Sequence, residues 1–195
     1  MLSNITNKEL FHVAVDAARQ KNTDVTLRYL KELIHRDPQH QHGLFLLGST
    51  YTTLGMFEEA VECLKKSVSQ DPQFYMARFQ LGLSQLALYL STEGCSQFEY
   101  IMNSDAPAFI KQYSQGFILV QNNQKEQAIT SFKQGIELDE NSPIRHDIED
   151  IIEAIEHMPE QTHMLSDSAV TQQNIAAEPP QSMVNNDFFL NAYRR

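Results

Sequence analysis

Small residues recur at a fixed interval along this chain. Gly48, Gly82 and Gly116 stand 34 residues apart, and Ala14 stands one interval earlier. Three other columns share the interval: Asp37, Asp71, Asp105 and Asp139; Leu30, Leu64, Phe98 and Phe132; and Thr26, Ala60, Gly94 and Ala128. A glycine within a helix costs about 1 kcal/mol relative to alanine. A column of small residues in one helix therefore needs a packing reason, and close approach of a second helix supplies it. Each interval holds two runs with apolar residues at helical spacing. The second run ends near the Asp, and Pro38 and Pro72 bias the residue before them away from helical geometry. A helix–turn–helix unit of this size cannot bury its apolar face alone, but stacked units can.

On these residues the chain resembles the tetratricopeptide repeats. Residues 41–74 match the family pattern with Leu44, Leu47, Gly48, Tyr51, Gly55, Ala60, Leu64 and Pro72. Residues 75–108 keep Leu81, Gly82 and Phe98 but carry Arg78 and Gln85 at apolar places. Residues 109–142 keep Gly116, Leu119, Ala128 and Phe132 but carry Gln112 and Gln115. Residues 7–40 are a divergent copy with Leu10, Val13, Ala14, Ala17, Leu30 and Pro38. The resemblance implies an all-α, right-handed solenoid of about four repeats over residues 7–142.

Residues 143–158 put Ile144, Ile148, Ile151, Ile152 and Ile155 on one face, with acidic residues mostly elsewhere. Pro143 suits a first helical turn. This segment is expected to be the polar-backed helix that caps a solenoid, giving a 7–158 domain. From residue 159 the chain is rich in Gln, Asn, Ser and Pro and has no periodicity, which suggests a flexible linker. It leads to the aromatic and basic tip "DFFLNAYRR", with Phe188, Phe189, Leu190 and Tyr193.

The formal net charge of −10 argues against nucleic acid or an anionic membrane as partner, since both call for a basic footprint. No signal-peptide pattern or membrane-spanning run is present, so membrane insertion is not expected and the setting is expected to be cytoplasmic. Cys63 and Cys95 make no metal-binding spacing and are expected to be reduced and structural. There is no nucleophile elbow, phosphate loop or HExxH, so no enzyme, cofactor or metal is expected. His40 and His42 fall in an inter-repeat turn.

In the tetratricopeptide fold the first helix of each repeat lines the concave face. Its groove stripe reads Lys8, Phe11, Val15 and Ala18, then His42, Phe45, Ser49 and Thr52. The third repeat supplies Met76, Phe79, Leu83 and Leu86, and the fourth Ile110, Tyr113, Phe117 and Val120. One column is aromatic throughout. An apolar groove of this extent is expected to hold an apolar peptide or helix of a protein partner, as in an adaptor, chaperone or assembly factor. Tetratricopeptide chaperones of bacterial secretion systems offer a similar mode. A rotated first helix in the last two repeats would instead make the same stripe part of the core. The family's carboxylate clamp is not expected, because its places hold Phe11, Val15, Leu46, Met76 and Gln80. The rival reading is a self-associating or autoinhibited scaffold, a possible homo-oligomer whose tail motif docks on its own or a neighbouring solenoid.

Overall fold

The computed structural model describes residues 5–157, and the linker and its aromatic tip lie outside the described residues. The described chain is all-α. Four helix pairs follow the 34-residue interval: α1 (Asn7–Arg19) and α2 (Thr23–Arg36), α3 (Gln41–Thr53) and α4 (Phe57–Gln70), α5 (Tyr75–Ala87) and α6 (Ser91–Met102), α7 (Ala108–Gln121) and α8 (Lys125–Leu138). A ninth helix, α9 (Arg145–Glu156), ends the described chain. None of these helices is long and apolar enough to cross a membrane.

The small-residue column sets how closely each pair packs. A Cβ on Gly48 would meet Leu64 Cγ at 2.6 Å and the Ala60 carbonyl at 3.3 Å. On Gly82 it would meet the Phe98 ring at 2.8 Å and the Gly94 carbonyl at 3.2 Å, and on Gly116 it would run into the Phe132 ring. The second-helix residues pressed into these notches, Leu64, Phe98 and Phe132, are fully buried, as are Ala14 and Leu30 in the first repeat. Two of the other columns are therefore the partners of the glycine column.

The aspartate column has a different task. Asp37 accepts a hydrogen bond from the Gln39 N–H at 3.3 Å, Asp71 from Gln73 at 2.8 Å, and Asp139 from Ser142 at 2.7 Å. Each carboxylate closes the turn that leads into the next unit. In the third repeat the Ser104 hydroxyl accepts from the Ala106 N–H at 3.2 Å.

A further column emerges at the turns within the repeats. Lys21, Gly55, Tyr89 and Asn123 all have left-handed backbone, with φ of 55°, 72°, 62° and 59°. In each repeat the next N–H reaches back to a carbonyl five residues earlier: Asn22 to Ala17, Met56 to Tyr51, Leu90 to Gln85 and Gln124 to Leu119, each at 2.9 Å. This is the Schellman closure of a helix end, which favours glycine at the left-handed position.

Neighbouring first helices touch, α1 with α3, α3 with α5 and α5 with α7, whereas second helices of neighbouring repeats do not approach as closely. The stack therefore curves towards its first helices. One core cluster joins the first two repeats with Ala77 and Leu81 of α5. The other joins Phe79, Leu83 and Leu86 of the same helix with α6 to α9.

Two substitutions follow with opposite signs. Gly116→Ala gains helix propensity but overpacks the buried Phe132 ring, a class of change that costs about 1–3 kcal/mol. Urea denaturation should therefore find the variant less stable. Tyr89→Gly relieves a left-handed tyrosine and should raise stability by about 1 kcal/mol in the same measurement.

Candidate functional site

The expected groove stripe divides into two parts. Phe79, Leu83, Leu86, Ile110, Tyr113, Phe117 and Val120 are buried, each at most 5% exposed. They form core, which corrects the expectation of an open apolar groove over the third and fourth repeats. Phe79 packs on Phe98, Phe117 and Tyr113 with ring centroids 5.5, 5.7 and 6.4 Å apart, and Phe117 packs on Phe132 at 5.1 Å.

Helix rotation is not the reason. Gly82 and Gly116 face Phe98 and Phe132 just as Gly48 faces Leu64, so the first helices keep their register. Instead α5 is covered on both sides: Leu81, Gly82 and Gln85 are buried along with Phe79, Leu83 and Leu86. Part of the cover comes from α9. Ile148 and Ile151 of α9, with Ile144 at its N-cap, share a small cavity, about 60 Å³, with Ser49, Thr52 and Thr53 of α3 and Phe79, Gln80 and Leu83 of α5. The capping helix thus packs back against the first-helix face, and its four isoleucines and the Ile144 before them are all buried.

A polar network fixes this return. The Tyr113 hydroxyl of α7 donates to Asp139 Oδ2 at 2.9 Å, and the Ser142 hydroxyl donates to the same oxygen. Arg145, in the first turn of α9, donates to the carbonyl oxygens of Ile136 (2.7 Å) and Asp139. Lys133 of α8 pairs with Glu156 at the far end of α9 at 3.1 Å. Burial and the Asp139 contact push the Tyr113 phenol well above its usual range. Desolvation alone would raise the Asp139 carboxyl, but the bonds from Ser142 and Tyr113 and the charge of Arg145 outweigh it and hold the group below the ordinary aspartate value.

The open part of the stripe lies over the first two repeats. Phe11, Phe45 and Met76 are half-buried. Phe11 and Phe45 join a continuous aromatic surface with His40, His42 and Phe74: Phe11 to His40 at 5.2 Å, Phe11 to His42 at 6.4 Å, His42 to Phe74 at 5.4 Å and Phe45 to Phe74 at 4.7 Å. His40 also caps α3, its Nδ1 accepting the Gly43 N–H at 3.0 Å. Sequence reasoning missed Phe74. It shares the 34-residue interval with His40, one place before each first helix, and that column was the available signal.

The departures from the repeat pattern are accommodated individually. Arg78 stays half-buried, 3.7 Å from the Tyr100 ring centroid, and donates to Gln97 Oε1 at 2.9 Å. Gln85 is buried where Tyr51 stands one repeat earlier, and its Oε1 has no hydrogen-bond partner. Cys63 and Cys95 are free thiols in different repeats, and burial raises the pKa of both, which makes them weak nucleophiles near neutral pH.

The comparisons with known proteins agree with this architecture. A tetratricopeptide repeat model matches residues 42–74 and 112–142, the second and fourth units. A crystal structure of a thermophilic tetratricopeptide repeat protein from Thermus thermophilus is similar with a TM-score of 0.64 and 18% identity, covering 75% of this chain and 81% of that one. A crystal structure of MamA is similar with a TM-score of 0.59 and 15% identity, covering 69% and 79%. At these identities the likeness is one of fold. No curated protein matches the sequence significantly.

The Asp139 network makes an acid-side prediction. A carboxyl with a lowered folded pKa contributes stability above its unfolded value, near 3.9, and loses it as pH falls through the lower folded value. Acidification through that window should loosen the α8–α9 connection before the glycine-notched pairs. Asp139→Ala should cost about 1.5–3 kcal/mol at neutral pH. It should also flatten that pH dependence, as read by amide exchange across residues 144–155.

Proposed function

We propose that the chain is a non-enzymatic interaction module of the tetratricopeptide repeat kind, a reading that its two matched repeats and its fold support. It holds an apolar peptide or helix of a protein partner against the first-helix face of repeats one and two. The observation that carries this reading is the half-exposed aromatic surface of Phe11, His40, His42, Phe45 and Phe74. Rings supply large contact area at little cost in side-chain entropy, which is why they anchor protein interfaces.

Shape supports the same choice. The stack curves towards its first helices, so a ligand laid across them meets residues from successive repeats. Over repeats three and four, and at the end of α3, that face is taken up by core side chains and α9, which supports a docking surface nearer the amino terminus. Met76 of α5 adds a half-buried thioether that adapts readily to a ligand's shape. Such a surface supports a role as adaptor, chaperone or assembly factor, with no reaction assigned to it.

The test uses the full chain immobilised as bait for proteins of the native host. Phe11→Ala combined with Phe45→Ala should lose the retained partner while circular dichroism stays native. Retention of the same partner by this variant would reject the surface. Phe79→Ala, in contrast, should lower the melting temperature, because emptying a buried phenylalanine site costs about 3–5 kcal/mol.

A further inference from the structure

The within-repeat turns form one edge of the solenoid, and their chemistry changes along it. The outer turns are polar: Gln20, Lys21 and Asn22 in the first repeat, Asn122, Asn123 and Gln124 in the fourth. The two middle turns are apolar. Leu54 is 44% exposed, Met56 37%, Tyr89 65% and Leu90 38%. These four account for more than half of the large exposed apolar side chains among the described residues.

Local stability is forgone to place them there. Tyr89 occupies a left-handed position where glycine would be free of strain. Met56 and Leu90 stand at the N-caps of α4 and α6 without a side-chain capping bond, as does Gln124 at α8, whereas Asn22 in the first repeat accepts the Val25 N–H at 3.3 Å. An N-cap lost to an apolar residue costs about 1 kcal/mol. In the third repeat the strained Tyr89 and the uncapped α6 start stand side by side, and Tyr89 leaves 65% of its surface exposed. Local conflicts of this kind concentrate where function imposes them.

The rim of the patch is negative. Glu58 and Glu59 lie in the first turn of α4 and Glu93 in that of α6, all exposed, and residues 54–60 and 88–94 contain no Lys or Arg. An occupant of matching chemistry is apolar and aromatic with adjacent cationic groups. The chain carries such a segment at residues 188–195, where Phe188, Phe189, Leu190 and Tyr193 precede Arg194 and Arg195.

We propose that residues 188–195 dock on the middle-turn edge of their own solenoid, the rings against Leu54, Met56, Tyr89 and Leu90 and the arginines towards Glu58, Glu59 and Glu93. The number of connecting residues, 158–187, is sufficient: a random coil of that length would have a root-mean-square reach of about 30 Å and any chain of it a limit near 100 Å. The repeat helices are each only about 20 Å long. Tethering on this scale gives an effective concentration in the millimolar range, which favours the same chain over a second copy. The aromatic surface of repeats one and two is the competing place, but the carboxylates beside it, Asp37 and Asp71, are each engaged in closing a turn, and Lys8 adds a like charge. This inference stands apart from the partner-binding reading, since it uses a different edge of the molecule.

The chain contains no Trp, so Phe189→Trp in the full-length protein gives a single fluorophore inside the segment. Its emission is compared with that of a synthetic peptide of residues 180–195 carrying the same change. Docking predicts emission to the blue of the peptide, unchanged on dilution and moved towards the peptide value by high salt. Leu54→Asn with Leu90→Asn, or Glu58→Lys with Glu59→Lys, should each abolish the difference. Tyr89→Gly should weaken the blue shift while raising the melting temperature, a pair of effects that unfolding does not produce. Emission equal to that of the peptide overturns the proposal. So does a blue shift that fades on dilution, which marks docking on a second copy. A shift insensitive to all the edge variants but lost with Phe45→Ala places the segment on the aromatic surface and overturns it as well.

Discussion

The notch between a first-helix glycine and a second-helix apolar side chain is the contact on which the rest of the solenoid depends. Gly48 with Leu64, Gly82 with Phe98 and Gly116 with Phe132 each bring two backbones close enough that a methyl group would not fit unadjusted. The cost of glycine in helix propensity is local, while the benefit is shared by every residue of the pair. Because the notch fixes rotation about the first-helix axis, it also decides which residues of that helix face away from the partner. The stripe of Phe11, Phe45, Phe79 and Tyr113 is defined by this constraint before any partner or capping helix meets it.

Most of the fold was legible in the sequence because its determinants are periodic. Four columns at one interval give the repeat, the helix pairing and the turn positions, and three of the four aspartates close a turn. The left-handed column of Lys21, Gly55, Tyr89 and Asn123 escaped notice because its four residues share no side-chain chemistry. What they share is a backbone angle, and sequence reports that only where glycine or asparagine stands.

The site was less legible, and Phe45 and Phe79 show why. They occupy the same place in successive repeats, yet one is half-buried and the other fully buried. The difference comes from the elements stacked around each. The isoleucine face of α9 was apparent, but its period is the same whether the helix seals an end or turns back over the first helices. The choice rests with Asp139, Ser142 and Arg145, whose bonds aim the chain after α8. A single aspartate in a repeat column gives no sign that its carboxylate will serve a buried tyrosine as well as a turn.

Helix α5 has a consequence of its own for cooperativity. Ala77 and Leu81 belong to the core of the first two repeats, while Phe79, Leu83 and Leu86 belong to the core that α9 completes. Two hydrophobic clusters are thus printed on alternate faces of one helix, and α5 acts as a party wall between them. In a quasi-one-dimensional stack, stability passes from unit to unit through such interfaces. The amino-terminal half borrows its order from a helix whose other face is held independently. Loosening repeats one and two to fit a ligand would leave the wall standing, so adaptability at one end coexists with a fixed scaffold at the other.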